Sequence, residues 1–177
     1  MKIHEITNFV SPEVCEQIIQ EISNTKTRPH RETTHFFHNR TQNINSFQSK
    51  TELNKISQQM LNLAKILYRE DNLVIDYVDI VTWFNGQEMG PHSDSVNIKT
   101  GKPYDYCGSR VYSGVLYLND NYDGGETYFT NKNIDVKPVQ GKLVLFPADV
   151  EYTHGVRPII TQDGKCRHTM PIWFKEN

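Results

Sequence analysis

His92 and Asp94 stand two apart in Gly90-Pro91-His92-Ser93-Asp94. An extended chain alternates faces with period two, so both side chains point one way and Ser93 the other. An imidazole and a carboxylate on one face make half of a chelate. His154, sixty residues past Asp94 in Tyr152-Thr153-His154-Gly155-Val156, can supply a second imidazole from a later strand. Two histidines and one carboxylate form a facial triad that leaves neighbouring coordination positions open. Such a set suits Fe(II) that must bind an organic cosubstrate and O2 together. Each imidazole then needs a partner for its other ring nitrogen. Arg167 follows His154 by thirteen residues. In a dry pocket a guanidinium is a two-pronged donor for a carboxylate. Thr169, Pro171 and Trp173 share its face in a strand, which favours an inward position over a solvated one.

The elements that must position these residues follow from periodicity. Residues 1–10 read as a short strand entering a helix that Ser11 caps and Pro12 opens. Val14, Ile18, Ile19 and Ile22 recur at helical spacing, and Asn24 ends that helix. Residues 25–50 are polar and irregular, with His30, His35 and His38 in a solvated loop. Phe36, Phe37 and Phe47 within it suggest a flap over a substrate. Thr51 is the expected cap of a second helix, whose stripe is Leu53, Ile56, Met60, Leu63, Ala64 and Leu67. From residue 73 the period changes to two, and 73–84 is a long strand closed by the Asn85-Gly86 turn. The next strand holds His92 and Asp94. Residues 95–109 form a long loop suited to substrate contacts. Further strands are expected over 110–118, 126–130, 134–138, 141–146, 151–158 and 167–174. Two helices and then many short strands predict a mainly β (α+β) chain, an antiparallel sandwich or jelly roll with helices packed on one sheet.

Bulk composition narrows the function classes. The chain has 177 residues, enough for one domain with a real core. One domain is expected over 1–177, with a helical buttress over about 1–70 and a β core over about 73–177. Net charge is −2, from 19 basic and 21 acidic residues, so no basic surplus advertises a nucleic-acid partner. No run of about 18 apolar residues predicts a membrane span. The first residues, Met1-Lys2-Ile3-His4-Glu5, lack the apolar core of a signal peptide. Three cysteines, Cys15, Cys107 and Cys166, include no C-x-x-C and read as reduced thiols. A cytoplasmic protein is the expectation. Cys107, in the long loop, reads as a bland thiol.

The motifs in order resemble a known family. After H-x-D come Tyr117-Leu118-Asn119-Asp120 leading into Gly124-Gly125-Glu126-Thr127, then Gly141-Lys142-Leu143-Val144-Leu145-Phe146-Pro147. His154-Gly155-Val156 with Pro158 follows, then Arg167 six residues before Trp173. From about residue 73 onward this resembles the 2-oxoglutarate/Fe(II) dioxygenases, nearest to the prolyl 4-hydroxylase-like branch. The resemblance implies a double-stranded β-helix with Fe(II) held by His92, Asp94 and His154. It implies 2-oxoglutarate bound to the metal through its keto-acid end, with its distal carboxylate on Arg167 and the Tyr117 hydroxyl as second donor. Trp173 would line the pocket wall. Phe84 matches a position that is often tyrosine in relatives, so a hydroxyl contact near the cosubstrate would be missing. O2 is the oxidant, and the resemblance admits ascorbate as an accessory.

The implied chemistry is oxidative decarboxylation to succinate and CO2 coupled to hydroxylation of an unactivated C–H bond. A carboxylate at Asp94 argues for hydroxylation over halogenation. The resemblance points first to a prolyl residue in a peptide or protein, and alternatively to a free amino acid or other small molecule. The nucleic-acid demethylase branch has a second arginine where this chain has Trp173. A non-catalytic ligand-binding jelly roll is the remaining alternative.

Overall fold

The computed structural model describes residues 2–24, 41–162 and 164–177. Their elements, in chain order, are β1 (His4–Ile6), α1 (Pro12–Asn24), β2 (Thr41–Asn43), α2 (Lys50–Tyr68), β3 (Leu73–Trp83), β4 (Met89–His92) and β5 (Arg110–Tyr117). Then come β6 (Asp123–Gly124), β7 (Thr127–Phe129), β8 (Ile134–Val136), β9 (Leu143–Pro147), β10 (His154–Val156), β11 (Ile159–Ile160) and β12 (Arg167–Glu176).

Helix α1 starts as its sequence dictates. Ser11 Oγ accepts from the Val14 N–H at 3.5 Å, and Pro12 occupies the first turn, where no N–H is needed. Helix α2 departs from expectation by one residue. It begins at Lys50, Ser49 takes the cap position without a side-chain cap bond, and Thr51 lies inside. The Ser49 N–H is instead held by Glu21 Oε2 of α1 at 3.1 Å, so the entry is set by the neighbouring helix. Arg69 ends α2 in the left-handed region at φ +59°, its N–H returning to the Lys65 carbonyl.

A six-stranded antiparallel sheet, ordered β1-β9-β5-β12-β3-β2, faces a four-stranded sheet, β4-β10-β7-β8. A small ribbon pairs β11 with β6. Two facing antiparallel sheets make the jelly roll that the sequence implied. The large sheet is covered on both faces. Ile80, Leu116, Leu145, Met170, Ile172 and Phe174 pack in one core cluster with Cys15, Ile18, Leu53, Ile56 and Met60 of the helices. Alternate residues of the same strands, among them Val81, Trp83, Ser113, Arg167 and Thr169, turn to the space between the sheets. No helix among the described residues is long and apolar enough to cross a membrane.

Part of the expected flap is core instead. Over 41–50 the chain forms β2 and one 3-10 turn, and Ile44 and Phe47 are buried beside α2. Their apolar area outweighs the polar residues around them. His30, His35, His38, Phe36 and Phe37 fall outside the described residues.

Candidate active site

The strand pairing brings the three predicted ligands together. His154 of β10 lies directly opposite His92 of β4, and the ring centroids are 4.4 Å apart. Asp94 does not share a strand with His92, because β4 ends at His92 and Asp94 sits in the bend that follows. Its aim is fixed from outside. Ser93 and Ser95 both donate to the Ala148 carbonyl, at 2.7 and 2.9 Å, and pin the segment on either side. Asp94 Oδ1 lies 3.7 Å from His92 Nε2, and Oδ2 lies 3.6 Å from His154 Nε2. One ligand atom from each residue falls within 4.8 Å of the others.

The surrounding hydrogen bonds suit a metal. His92 Nδ1 meets the Gly90 carbonyl at 3.1 Å, and His154 Nδ1 meets the Tyr152 carbonyl at 3.0 Å. A carbonyl only accepts, so each Nδ1 carries the proton and each Nε2 presents a lone pair inward. Burial, and then the neighbouring His92, hold His154 below the ordinary histidine range, so its ring is neutral. Burial pushes Asp94 up, but His154, His92 and the Ser113 hydroxyl together outweigh it and hold it low. Ser113 Oγ donates to Asp94 Oδ2 at 2.6 Å. Two imidazoles with Nε2 turned inward and a carboxylate held low, each oriented by a further hydrogen bond, fit the donor set of Fe(II). Gly155 permits the close approach: a Cβ there would meet the Met89 carbonyl at 2.4 Å and the Tyr128 ring at 2.5 Å.

Arg167 opens β12 opposite Trp83 and is 2% exposed. Its Nε donates to the Gly125 carbonyl at 3.2 Å. Gly125 holds φ +68°, and a Cβ there would meet Arg167 Cδ at 3.0 Å, so this turn needs glycine. The guanidinium lies 5.3 Å from the Trp83 ring and 5.4 Å from the Tyr117 ring. No carboxylate lies within ion-pair distance among the described residues.

A cavity of about 520 Å³ joins the triad to Arg167. Trp173 lines it, stacked on Tyr77 with centroids 6.1 Å apart and capped by Arg110 at 4.5 Å. Tyr117 is fully buried behind the wall, its hydroxyl bonded at 2.6 Å to Thr127, which does line the cavity. Phe84 does not line it, and Trp83 does. The odd positions 77, 79, 81 and 83 of β3 face inward, which fixes the parity. Sequence reasoning also missed Ser113, Thr127, Arg110 and Asp79; the period-two pattern of β3 and β5 was the available signal. Tyr104, Tyr106 and Cys107 of the long loop line the cavity as well, with Tyr106 largely exposed.

Residues 78–175 match the sequence model of the 2OG-Fe(II) oxygenase superfamily. Human prolyl 3-hydroxylase 3 is 41% identical over 69 residues, 36% of this chain and 9% of that protein. Rat prolyl 3-hydroxylase 1 is 37% identical over 70 residues, 37% of this chain and 9% of that protein. The chain thus spans about a tenth of the length of these curated relatives. Among solved structures, a viral collagen prolyl hydroxylase from Paramecium Bursaria Chlorella virus-1, in its 2OG complex, superposes with TM-score 0.73 at 18% identity, covering 100% of this chain and 97% of that one. A Pseudomonas putida prolyl-4-hydroxylase gives 0.72 at 22% identity, covering 99% and 92%. These two establish likeness of fold. With the family's sequence pattern spanning both sheets and its donor residues converging in one cavity, the chain belongs to the 2OG-Fe(II) oxygenase superfamily.

Proposed function

We propose that this chain is an Fe(II)- and 2-oxoglutarate-dependent dioxygenase that hydroxylates an unactivated C–H bond, with a prolyl residue of a peptide or protein as the target. One observation carries it: a His92–Asp94–His154 cluster and a buried arginine with no acid beside it among the described residues share one cavity. In this reading His92, Asp94 and His154 hold the iron. Arg167 grips the distal carboxylate of 2-oxoglutarate. The Tyr117 hydroxyl reaches that end through Thr127. Bound iron supplies O2 activation, which couples loss of CO2 from 2-oxoglutarate to oxygen insertion at carbon.

The protein's part is geometric. Ser113 fixes the carboxylate plane of Asp94, and the two backbone carbonyls fix the imidazole rings. Phe146 and Phe129 pack edge-on and tilted against His154, at 4.7 and 5.7 Å, and keep water from that side. Trp83 and Tyr117 sandwich the guanidinium in apolar rings, which strengthens its bond to an anion. Trp173, Tyr77 and the loop residues Tyr104 and Tyr106 form the aromatic end, suited to a pyrrolidine ring and its flanking peptide. The prolyl 3-hydroxylase relatives support that choice of target. The whole 177 residues act as one catalytic domain, with helices bracing about 1–70 and the β core over about 73–177. The three free thiols fit a reducing compartment.

The test is succinate release from 2-oxoglutarate with Fe(II), first with proline-rich peptides and then with free amino acids. Peptide-stimulated turnover with a mass gain of one oxygen on proline is the expected result. Stimulation by free amino acids alone would move the target to a small molecule. No iron-dependent turnover under any condition would refute the enzyme reading.

A further inference from the structure

Two ionisable side chains of the cavity wall are buried with no counter-charge among the described residues. One is Arg167, which the cosubstrate accounts for. The other is Asp79, in the middle of β3 and 2% exposed. Asp94 has its histidines, and Arg110 is balanced by Asp76 at 2.9 Å. Asp79 sits on the inward face between Tyr77 and Val81, opposite Asn43 of β2. Its Oδ1 has no hydrogen-bond partner. Burial raises its pKa to about 7, and a hydrogen bond with Tyr77 offsets this only in part. A buried acid in this state is stabilised by any donor that arrives, and most by a cation. The neighbouring wall is already suited to one, since Tyr77 and Trp173 stack beside it and ring faces attract cations.

We propose that Asp79 is a specificity-determining residue that receives a cationic group of the substrate, an ammonium or guanidinium carried alongside the carbon to be hydroxylated. The role rests on the dioxygenase reading for the identity of the cavity, and on the geometry of Asp79 for the charge. A lysine or arginine beside a target proline supplies this chemistry, and so does the amine of a free amino acid.

The experiment separates these sources and separates the two readings. The full chain is loaded with Fe(II) and 2-oxoglutarate without oxygen, and binding is followed by tryptophan fluorescence, because both tryptophans, Trp83 and Trp173, line the cavity. The probes are a proline-rich peptide of neutral residues with blocked ends, the same peptide with one lysine or arginine beside a proline, and free L-proline. The cationic peptide or L-proline is expected to bind at least about tenfold tighter than the neutral peptide. Whichever of the two shows the gain identifies the source, and Asp79→Asn should abolish it. Equal affinity for neutral and cationic probes in the wild type would overturn the proposal, as would an undiminished charge preference in Asp79→Asn. The wild-type comparison decides the matter even where the variant does not fold. Thermal unfolding without substrate gives a second readout. Above pH 7 Asp79→Asn should raise Tm, since it removes a buried acid with no counter-charge, and a lowered Tm there would reveal a counter-charge within the chain and overturn the proposal. Failure of iron-dependent 2-oxoglutarate turnover, with the charge preference intact, would refute the dioxygenase reading alone.

Discussion

Replacing Arg167 by methionine keeps a long apolar stem and removes the guanidinium. Arg167 is 2% exposed, has one hydrogen bond to the Gly125 carbonyl, and faces no carboxylate among the described residues. The Gly125 carbonyl and the Trp83 and Tyr117 ring faces offset only part of the desolvation of its charge. The variant should be at least as stable as the wild type when no ligand is present. Binding of 2-oxoglutarate should suffer instead. A two-pronged, charge-assisted bond in an apolar setting is worth about 3 kcal/mol, or roughly 100-fold in Kd. The assay is thermal unfolding of Fe(II)-loaded protein under nitrogen, with and without 2-oxoglutarate. At 100 times its Kd the cosubstrate stabilises the wild type by about 2.7 kcal/mol. That corresponds to roughly 5–10 °C for a chain of this size. At the same concentration the variant should shift by about 1 °C, for its own Kd is then near the ligand concentration. A variant that still shifts by several degrees would show that the carboxylate is gripped elsewhere. A variant that unfolds well below the wild type without ligand would show that the guanidinium is balanced within the chain.

Three other outcomes are expected. His92→Ala or His154→Ala should abolish Fe(II) binding in a metal titration and 2-oxoglutarate turnover, while circular dichroism stays unchanged; bound iron in either would refute the ligand assignment. Ser113→Ala frees one oxygen of Asp94 and should weaken Fe(II) binding by roughly 10- to 100-fold, since outer hydrogen bonds orient the ligand; unchanged affinity would show that the serine is incidental. Asp79 has a folded pKa of about 7, above its ordinary value of 3.8, so its contribution to stability is fully present below about pH 4 and is lost as pH rises through 7. Its cause is burial, and no charged side chain contributes. The stability difference between Asp79→Asn and wild type should therefore grow from pH 5 to pH 8 in urea unfolding, by roughly 2–3 kcal/mol; a difference independent of pH would refute the shift.

Much of the site was legible because its chemistry is written in short spacings. His92 and Asp94 are two residues apart, and His154 and Arg167 each lie in a recognisable strand. The long strands β3, β5 and β12 were readable from their period, and their covered outer face from the apolar stripes of the two helices. Parity was not readable. Whether Trp83 or Phe84 faces the cavity depends on the pairing of Trp83 with Arg167, a contact between residues far apart in the chain. Asp94 was expected on a strand with His92, yet it lies in a bend whose aim comes from Ser93 and Ser95 reaching Ala148. Phe47 looked like part of a flap because its neighbours are polar; what covers it is α2, and no local pattern announces that contact. Asp79 reads as one more polar residue of a strand until the fold closes over it.

Strand β12 has a consequence for how this protein tolerates change. Its even positions, Met170, Ile172 and Phe174, serve the helical core, and its odd positions, Arg167, Thr169, Pro171 and Trp173, serve the cavity. Substitutions at odd positions can retune the ligand surface while leaving the fold's foundation alone. A single inserted or deleted residue within the strand would exchange the two sets, drive a guanidinium into the hydrocarbon layer and strand methionine at the chemistry. Length along this segment is thus under far tighter restraint than side-chain identity on either of its sides.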